Sequence, residues 1–268
     1  MAPLRAHPDP VEAGPIEPDL TPRQGERRVV LVTGAARRIG AAIARRLHAS
    51  GCDVVLHYRH SQADAAALQA ELEAERAGSV LMLQADLADA DRLPGLVDAA
   101  IDRFGRLDGL VNNASAFFPT PLGAIPASDL DALFAVNVRA PLLLAQAAAP
   151  HLRRQQGAIV NLVDIYGDYP KPGFLGYSAS RAAMASMTTG LAAELAPQVR
   201  VNGVAPGAIL WPEASGDEAE RRAIMDNIPL GRIGTPEEVA AAVSVLLLEL
   251  TYVTGQVLRV DGGRTATI

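Results

Sequence analysis

The chain has 268 residues, a formal net charge of −6 and an apolar content of 49%. This length fits one α/β domain of ordinary size, and the apolar content suffices for a full core. The acidic balance gives no sign of nucleic-acid binding, and no apolar run is long enough to span a bilayer. The single cysteine, Cys52, cannot form an internal disulfide, and the N-terminus shows no signal-peptide pattern. We expect a cytoplasmic protein whose partners are neither nucleic acid nor membrane, with Cys52 in the core beside the second strand.

Residues 1–27 differ in composition from the rest of the chain. They contain few bulky apolar residues, and their prolines break any helix. This composition predicts a flexible, proline-rich N-terminal extension at 1–27, followed by a single folded domain at 28–268. The prolines are Pro3, Pro8, Pro10, Pro15, Pro18 and Pro22.

Apolar runs typical of strands alternate with helical patterns over the rest of the chain. Seven strands alternating with helices predict an α/β fold, a Rossmann-type doubly wound seven-stranded parallel sheet with helices on both faces. The strands are expected near 28–33, 53–57, 79–84, 107–111, 158–162, 199–204 and 256–260. The helices are expected near 39–50, 62–77, 89–104, 127–155, 176–196 and 236–249.

Two segments depart from this regular alternation. Pro141 lies inside the stretch 127–155, which is therefore expected to be two helices or one kinked helix. The segment 206–230 lacks a strand pattern and is rich in proline, glycine and charge. It is expected to pass over the site, where it could act as a mobile lid.

A glycine turn follows the first predicted strand and leads into the first helix, with the sequence Thr-Gly-Ala-Ala-Arg-Arg-Ile-Gly at 33–40. This arrangement presents backbone N–H groups and a helix N-terminus to a pyrophosphate. Gly34 would make the tight turn and Gly40 would allow close helix packing, while the middle position often held by glycine is Arg38. A turn without any ligand is the alternative.

The residues after the second strand bear on the choice of nicotinamide cofactor. A carboxylate there would accept a hydrogen bond from the adenosine ribose 2′-hydroxyl, but 57–61 contains no acid. Arg59 can face a 2′-phosphate, with His60 and Ser61 as further donors, and Arg37 adds positive charge. These residues favour NADPH over NADH, and a solvated polar loop is the alternative.

Polar residues also end the third and fourth strands. Asp86 could accept a hydrogen bond from the adenine amino group or cap the following helix, and the sequence leaves both open. The amides of Asn112 and Asn113 could satisfy backbone groups of the central strands and line the cofactor. Further along, Tyr177 and Arg181 are four residues apart, which puts both on one face of a helix.

Motifs in consistent order over about residues 28–264 resemble the short-chain dehydrogenase/reductases. The match rests on the glycine turn at 33–40, on 112–114, Asn137 and Tyr177, and on 261–263. Within that family the chain is most similar to the pteridine reductases, at 33–40, 56–58, 84–87, 113–121, 161–164 and 201–207.

The resemblance implies an NADPH-dependent oxidoreductase that forms a homotetramer and reduces a pterin or folate, without a metal. Small residues around Ala182, Ala183 and Ala185 would permit close packing between subunits. The implied cofactor-binding residues are Gly34, Arg37, Arg38, Ile39, Gly40, His57, Tyr58, Arg59, His60, Ser61, Asp86, Leu87, Asn113, Ala114, Pro206 and Gly207.

The resemblance also implies roles around the substrate. Phe117 would sandwich a pterin ring against the nicotinamide, and Ser115 and Arg38 would hydrogen-bond the pterin and a cofactor phosphate. Ordinary core packing is the alternative for Phe117. The implied catalytic residues are Asp164, Tyr177, Arg181 and Asn137, and Asp164 and Tyr177 are also expected to bind substrate.

Arg181 is a departure, because the family has lysine at this position. Lysine there binds the nicotinamide ribose and lowers the pKa of the phenol through its charge. Arginine keeps the charge and the donors, but it cannot release a proton. Lys171 is the only lysine of the chain, so this change fits a general drift towards arginine.

Asp164 replaces the serine that is usual in the wider family, thirteen residues before Tyr177. Reduction of a pterin C=N bond needs a hydride on carbon and a proton on nitrogen, and Asp164 could supply that proton if burial raises its pKa. The alternative is a structural role, in which the Asp164 carboxylate at the end of the strand caps the next segment.

Three functions follow from these residues. The first is reduction of dihydrobiopterin, dihydromonapterin or dihydrofolate to the tetrahydro forms. A general carbonyl reductase, such as a 3-oxoacyl-thioester reductase, is the second. A catalytically weak NADPH-binding protein is the third, and only Arg181 favours it.

Overall fold

A computed structural model of the chain describes residues 27–210 and 218–267. The predicted N-terminal extension lies outside the described residues, except for Arg27 at its end. The description therefore begins just before the first strand of the sheet.

Seven parallel strands form one sheet in the order β3-β2-β1-β4-β5-β6-β7. The chain builds outward from β1 to β3, returns to the centre, and builds the other half from β4 to β7. Ligands of such sheets bind beyond the carboxyl ends of the strands, where the direction of building reverses, which here is between β1 and β4. The strands are β1 Val29–Val32, β2 Asp53–Tyr58, β3 Val80–Gln84, β4 Gly109–Asn112, β5 Ala158–Leu162, β6 Arg200–Pro206 and β7 Val257–Val260.

Helices cover both faces of the sheet, as the sequence predicts. They are α1 Arg38–Ala49, α2 Gln62–Glu75, α3 Leu93–Phe104, α4 Ala127–Phe134, α5 Ala140–Gln155, α6 Leu175–Leu195, α7 Glu218–Asp226 and α8 Pro236–Leu248.

Alternating side chains of the central strands supply the two cores. Val30 and Val32 of β1 pack with apolar residues of α1, α2 and α8. Val29 and Leu31 point the other way and pack with α3, α5 and α6. Because both faces of each central strand are buried, these strands are apolar runs rather than alternating patterns. Cys52 is buried in the first of these cores, as expected.

The predicted break near Pro141 is a change of helix type. One π-helical turn, Ala135–Arg139, joins α4 to α5, and Pro141, which has no N–H to donate to the preceding turn, follows it directly in the first turn of α5. The combined stretch Ala127–Gln155 is long and apolar enough to cross a membrane by length and composition. Over half of its most apolar window is buried inside the protein, and it packs on α3 and α6, as a core helix does.

The segment 206–230 contains one helix that the sequence did not predict. Strand β6 extends to Pro206, and α7 lies at Glu218–Asp226. Residues 211–217 fall outside the described residues, so the lid stays a prediction. The backbone after α7 is tied to the sheet edge, since Leu230 N–H donates to Gly262 O at 3.1 Å.

Candidate active site

The glycine turn after β1 has the close packing that the sequence predicts. Gly34 has a φ of +61°, which favours glycine. A Cβ on Gly40 would lie 2.2 Å from Gly34 O, so a larger residue would push α1 away from the turn. The Asn113 amide donates to the carbonyls of Thr33 (2.8 Å) and Gly34 (3.0 Å). The amide therefore fixes the turn from the end of β4.

Arg38 occupies the middle position of the turn with a φ of +53°. A non-glycine residue in this left-handed region carries strain of about 1 kcal/mol, which explains why glycine is common here. The Arg38 side chain is exposed at the start of α1. A phosphate bound at the N-terminus of this helix would therefore lie close to the positive charge of Arg38.

His57 supports the turn from inside the protein. The sequence places it among cofactor contacts, but both ring nitrogens have protein partners: Nδ1 accepts from Gly34 N–H (3.2 Å) and Nε2 faces Ala85 O (3.2 Å). Burial lowers the pKa of His57 to about 4, so the ring is neutral and Nε2 carries the proton. Tyr58 is also buried, where it packs with Ala36.

Basic side chains gather where the sequence predicts the adenosine end of a nucleotide. Arg37 Nε lies 3.8 Å from Asp64 Oδ2, and Arg59 Nη1 lies 3.8 Å from Asp86 Oδ2. Each partner is about half exposed. Asp86 also accepts from Ala88 N–H at 2.9 Å, a contact within the turn that precedes the next helix and not a cap of the helix itself, which begins after Asp89.

The remaining predicted cofactor residues lie along the carboxyl edge of the sheet. Gly207 N–H donates to Val260 O at 3.0 Å, beside β7. Among the described residues, no group of His, Cys, Asp and Glu could hold a metal ion. The other residues at this edge are Ile39 at the start of α1, His60 and Ser61 before α2, buried Leu87 after β3, Ala114 against Gly34, and Pro206 at the end of β6.

Asp164 and Tyr177 form the centre of the site. Tyr177 Oη donates to Asp164 Oδ2 at 2.7 Å, and Asp164 Oδ1 accepts from Tyr166 N–H at 2.9 Å. Desolvation raises the pKa of the Asp164 carboxyl, although the two donors and the charges of Arg181 and Arg264 oppose the rise. Desolvation also raises the pKa of Tyr177, with Arg181 opposing it. Asp164 does stabilise a local turn, so the capping contact and the catalytic geometry coexist.

Arg181 lies under Tyr177, one helical turn away on α6. Its side chain is only 3% exposed, and its guanidinium carbon lies 5.0 Å from the centre of the Tyr177 ring. Nη1 donates to Leu162 O at 3.0 Å, and Nη2 donates to Ser115 Oγ. Nε is buried and has no hydrogen-bond partner among the described residues. A buried donor of this kind fits a ligand hydroxyl.

Phe117 is a wall of the open site rather than a core residue. Its side chain is 49% exposed. One face stacks on Phe174, with ring centres 4.7 Å apart, and the ring meets Tyr177 edge-on at 4.7 Å. Thr120 fastens this loop to the start of α6, because its N–H donates to Gly173 O at 2.7 Å.

Comparison with known proteins agrees with this geometry. A family model described as enoyl-(acyl carrier protein) reductase matches residues 34–265. The chain belongs to the short-chain dehydrogenase/reductase family. Members of this family use nicotinamide cofactors, and the chain is an oxidoreductase of this type.

Curated relatives in this family carry different substrate names. Pteridine reductase 1 of Leishmania tarentolae is 38% identical, covering 89% of this chain and 96% of the relative. A 3-oxoacyl-(acyl-carrier-protein) reductase of Synechocystis is also 38% identical, with 88% and 96% covered. A 3beta-hydroxysteroid dehydrogenase 1 of Eggerthella lenta is 36% identical, with 89% and 94% covered. Identity alone therefore does not choose the substrate.

Asn137 has a positioning geometry within this reductase site. It lies in the π-helical turn, where its amide accepts from Ala116 N–H (2.8 Å) and donates to Ala116 O (2.9 Å) and to Ser180 Oγ (3.0 Å). The hydrogen bonds of Asn137 thus hold the loop that carries Ser115 and Phe117. Through Ser180, whose Oγ donates to the Tyr177 carbonyl at 2.7 Å, they also reach the backbone of Tyr177.

The sequence analysis did not identify four residues that line the site, Phe174, Tyr166, Lys171 and Arg264. Phe174 covers one face of Phe117. The Tyr166 ring lies near two cations, Lys171 Nζ at 5.9 Å and Arg264 Cζ at 5.8 Å from its centre. For Arg264 a signal exists in the preceding Asp-Gly-Gly motif at 261–263, which is typical of a fixed turn. Phe174 and Tyr166 have no comparable local signal, since loop aromatics pack in many ways.

Proposed function

We propose that this reductase uses NADPH to reduce the C=N bond of a dihydropterin or dihydrofolate to the tetrahydro form. The observation that carries the proposal is the 2.7 Å hydrogen bond between Tyr177 Oη and the Asp164 carboxyl. A partly buried carboxylic acid next to a phenol is a proton source for a nitrogen acceptor.

The residues of the site fit a nicotinamide dinucleotide. The glycine turn and the start of α1 offer N–H groups to a pyrophosphate, and the buried Nε of Arg181 lacks a hydrogen-bond partner among the described residues. Arg37 and Arg59 would face a 2′-phosphate, which supports NADPH over NADH. The bound cofactor would supply the hydride that the substrate carbon accepts.

Proton delivery follows from the pair at the centre of the site. Because the pKa of Tyr177 is raised by burial, the phenol keeps its proton at working pH and does not act as a phenolate. In the proposed step the hydrogen bond between the two side chains is reversed, so that protonated Asp164 donates to Tyr177 Oη. Tyr177 then gives its proton to the substrate nitrogen and takes one from Asp164. Asp164 ends as a carboxylate, Tyr177 ends as a phenol, and water returns the proton to Asp164.

Asp164 argues against a carbonyl substrate. Reduction of a carbonyl develops negative charge on oxygen, next to Tyr177. Once ionised, Asp164 would repel that charge through its 2.7 Å contact with Tyr177. A serine at this position would donate a hydrogen bond instead. The 3-oxoacyl reductase alternative therefore receives support from sequence identity but not from the site.

Arg181 does not favour a catalytically weak binding protein. Its charge lies 5.0 Å from the Tyr177 ring centre, where lysine would also act on the phenol. Two hydrogen bonds, to Leu162 and Ser115, hold the guanidinium in this place. Electrostatic support for Tyr177 is thus retained, and only proton release from this side chain is lost.

Phe117 supports a flat aromatic substrate. Phe174 covers one of its faces, while about half of the side chain remains exposed. A pterin ring could stack on the exposed face and lie against the edge of Tyr177. Ser115 Oγ, beside Arg181, is within the same opening.

An NADPH-oxidation assay with the purified full chain tests this function. The substrates are dihydrobiopterin, dihydromonapterin, dihydrofolate, a 3-oxoacyl thioester and a simple ketone. We expect turnover of at least one dihydropterin or dihydrofolate with kcat/KM well above that for both carbonyl compounds. Preference for the thioester would replace the proposal with the carbonyl reductase, and no turnover with tight NADPH binding would favour the binding protein.

We also propose a homotetramer. Ala182 is exposed on α6, and Ala183 and Ala185 are only partly buried, so small side chains remain accessible for close helix packing. Light scattering at micromolar concentration should give four times the chain mass of 28.1 kDa. A monomer mass would contradict this assembly.

A further inference from the structure

The C-terminal turn brings a cation to the edge of the active site. Asp261 fixes this turn, since its carboxylate accepts from Gly263 N–H (2.9 Å), Thr265 N–H (2.9 Å) and Thr265 Oγ1 (2.7 Å). Gly263 has a φ of +85°, which sends the chain back towards the sheet. The next residue, Arg264, opens a 3₁₀ turn at Arg264–Ala266.

Arg264 contacts the residue that holds Asp164. Its guanidinium carbon lies 5.8 Å from the centre of the Tyr166 ring, within the range of a cation–π contact. The backbone N–H of Tyr166 donates to Asp164 Oδ1 at 2.9 Å. The Nε atom of Arg264 is buried and has no hydrogen-bond partner within the described part of the chain. Among the described residues, Arg264 is thus held by ring contact and charge, and not by an ion pair with a carboxylate.

Three groups besides the Tyr166 N–H bear on the Asp164 carboxyl. Tyr177 donates to it from α6, and the positive charges of Arg181 on the same helix and of Arg264 in the C-terminal turn act on it. Both arginines favour the ionised carboxylate and lower its pKa, against desolvation, which raises it. The Nη1 and Nη2 atoms of Arg181 donate to Leu162 and Ser115, and among the described residues the Nε atoms of both arginines have no hydrogen-bond partner.

We propose that Arg264 is a positioning residue of the active site: its guanidinium packs on the Tyr166 ring and thereby holds the backbone N–H that binds Asp164. The inference rests on the proposed function only in taking Asp164 as the proton source. It gives the C-terminal turn a part in the chemistry, although the turn follows the last strand of the sheet.

The chain offers a matched control for this contact. Arg259 also lies 5.8 Å from a tyrosine ring centre, that of Tyr169, and its Nη2 is paired with Asp168 at 2.6 Å. It is not among the main influences on the pKa of Asp164. The variants are therefore Arg264→Gln, which removes the charge, Arg264→Lys, which keeps it, and Arg259→Gln as the control.

The first measurement is the titration of Asp164 itself. The carboxyl ¹³C resonance of aspartate-labelled protein is followed over pH and assigned through Asp164→Asn. Loss of a nearby positive charge should raise the midpoint, by roughly half a pH unit or more. We expect this rise in Arg264→Gln, a midpoint near that of the wild type in Arg264→Lys, and no change in Arg259→Gln.

The second measurement is the pH profile of kcat/KM with a dihydropterin. Because activity falls as Asp164 ionises, the alkaline limb should move to higher pH in Arg264→Gln and stay in place in Arg259→Gln. An unmoved Asp164 midpoint in Arg264→Gln, or an equal shift in the control, overturns the role of Arg264. If the wild-type enzyme reduces no dihydropterin, the proposed function is wrong. The titration of Asp164 still tests the role of Arg264 in that event.

Discussion

The two ends of the site hold their charges in different surroundings. At the nucleotide end, Arg37 and Arg59 each lie 3.8 Å from a carboxylate and are about half exposed. At the catalytic end, Tyr177 and Arg181 are each 3% exposed, and Tyr177 contacts Asp164 at 2.7 Å. Exposed pairs are screened by water and salt, whereas enclosed polar groups interact strongly and shift each other's pKa.

This difference in exposure predicts that the nucleotide end acts in cofactor binding and the catalytic end in the chemical step. The exposed arginines can change partner at little cost when a phosphate arrives, because solvent already weakens their contacts with Asp64 and Asp86. The enclosed groups cannot rearrange cheaply, so their geometry is set before substrate binds. Substitutions at the nucleotide end should therefore change KM for the cofactor, and substitutions at the catalytic end should change kcat.

The largest expected effect comes from removing a member of the enclosed pair. Tyr177→Phe and Asp164→Ala should each lower kcat for a dihydropterin by about 100-fold or more, because each removes a step of proton delivery. NADPH affinity, measured by fluorescence titration, should change little. Tyr169→Phe serves as a control, since Tyr169 lies outside the pair. An unchanged kcat in both variants would show that the pair does not deliver the proton.

His57 lies at the nucleotide end of the site but is buried, so it extends the comparison between exposed and enclosed groups. Its folded-state pKa of about 4 lies below the ordinary value of 6.5, so the stability that neutral His57 provides is present above pH 6.5 and is lost as pH falls towards 4. The loss should reach about 2 kcal/mol in the free energy of unfolding near pH 5. Urea unfolding should show this pH slope in the wild type and a weaker slope in His57→Gln. Equal slopes would contradict the buried, neutral ring.

Arg181 tests whether charge alone suffices beside Tyr177. Arg181→Met removes the cation that opposes the raised pKa of the phenol, and kcat should fall by about tenfold or more. Arg181→Lys should retain or improve activity, because lysine keeps the charge and can exchange a proton. Steady-state kinetics of the two variants, with matched folding by circular dichroism, make the comparison. Full activity in Arg181→Met would remove Arg181 from the working site.

Arg59 should give the smallest of these effects, because water screens it. Arg59→Ala should raise KM for NADPH by up to about tenfold and leave KM for NADH nearly unchanged. Arg45→Ala is the control, since Arg45 is also exposed and paired, with Glu71 at 2.7 Å. Equal use of both cofactors by the wild type would contradict the NADPH preference.

The sequence predicts the sheet and the main chemical groups because their signals are local. Most strands lie in apolar runs, the glycine turn has its own spacing, and Tyr177 and Arg181 share a helix face. The role of His57 was not predictable in this way, because it depends on contacts with Gly34 and Ala85, which meet only when β1, β2 and β3 pair. Its polar neighbours suggest a surface loop, whereas the ring points inward.

The contributions of Phe174 and Arg264 depend on contacts across long stretches of chain. Phe174 meets Phe117 only because two loops are fastened at Thr120. Arg264 reaches Tyr166 because the turn after β7 comes close to the 3₁₀ turn Ile165–Gly167, which follows β5. Composition and periodicity do not indicate these contacts, because the residues that meet are far apart in the sequence.

The central claim is that Asp164 makes this site suited to a nitrogen acceptor. The most direct test replaces it with the serine usual in the wider family and compares kcat/KM for a dihydropterin with kcat/KM for a 3-oxoacyl thioester, in wild type and Asp164→Ser. We expect the wild type to favour the dihydropterin and the ratio to fall by about tenfold or more in Asp164→Ser. A ratio that is the same in both proteins would contradict the claim.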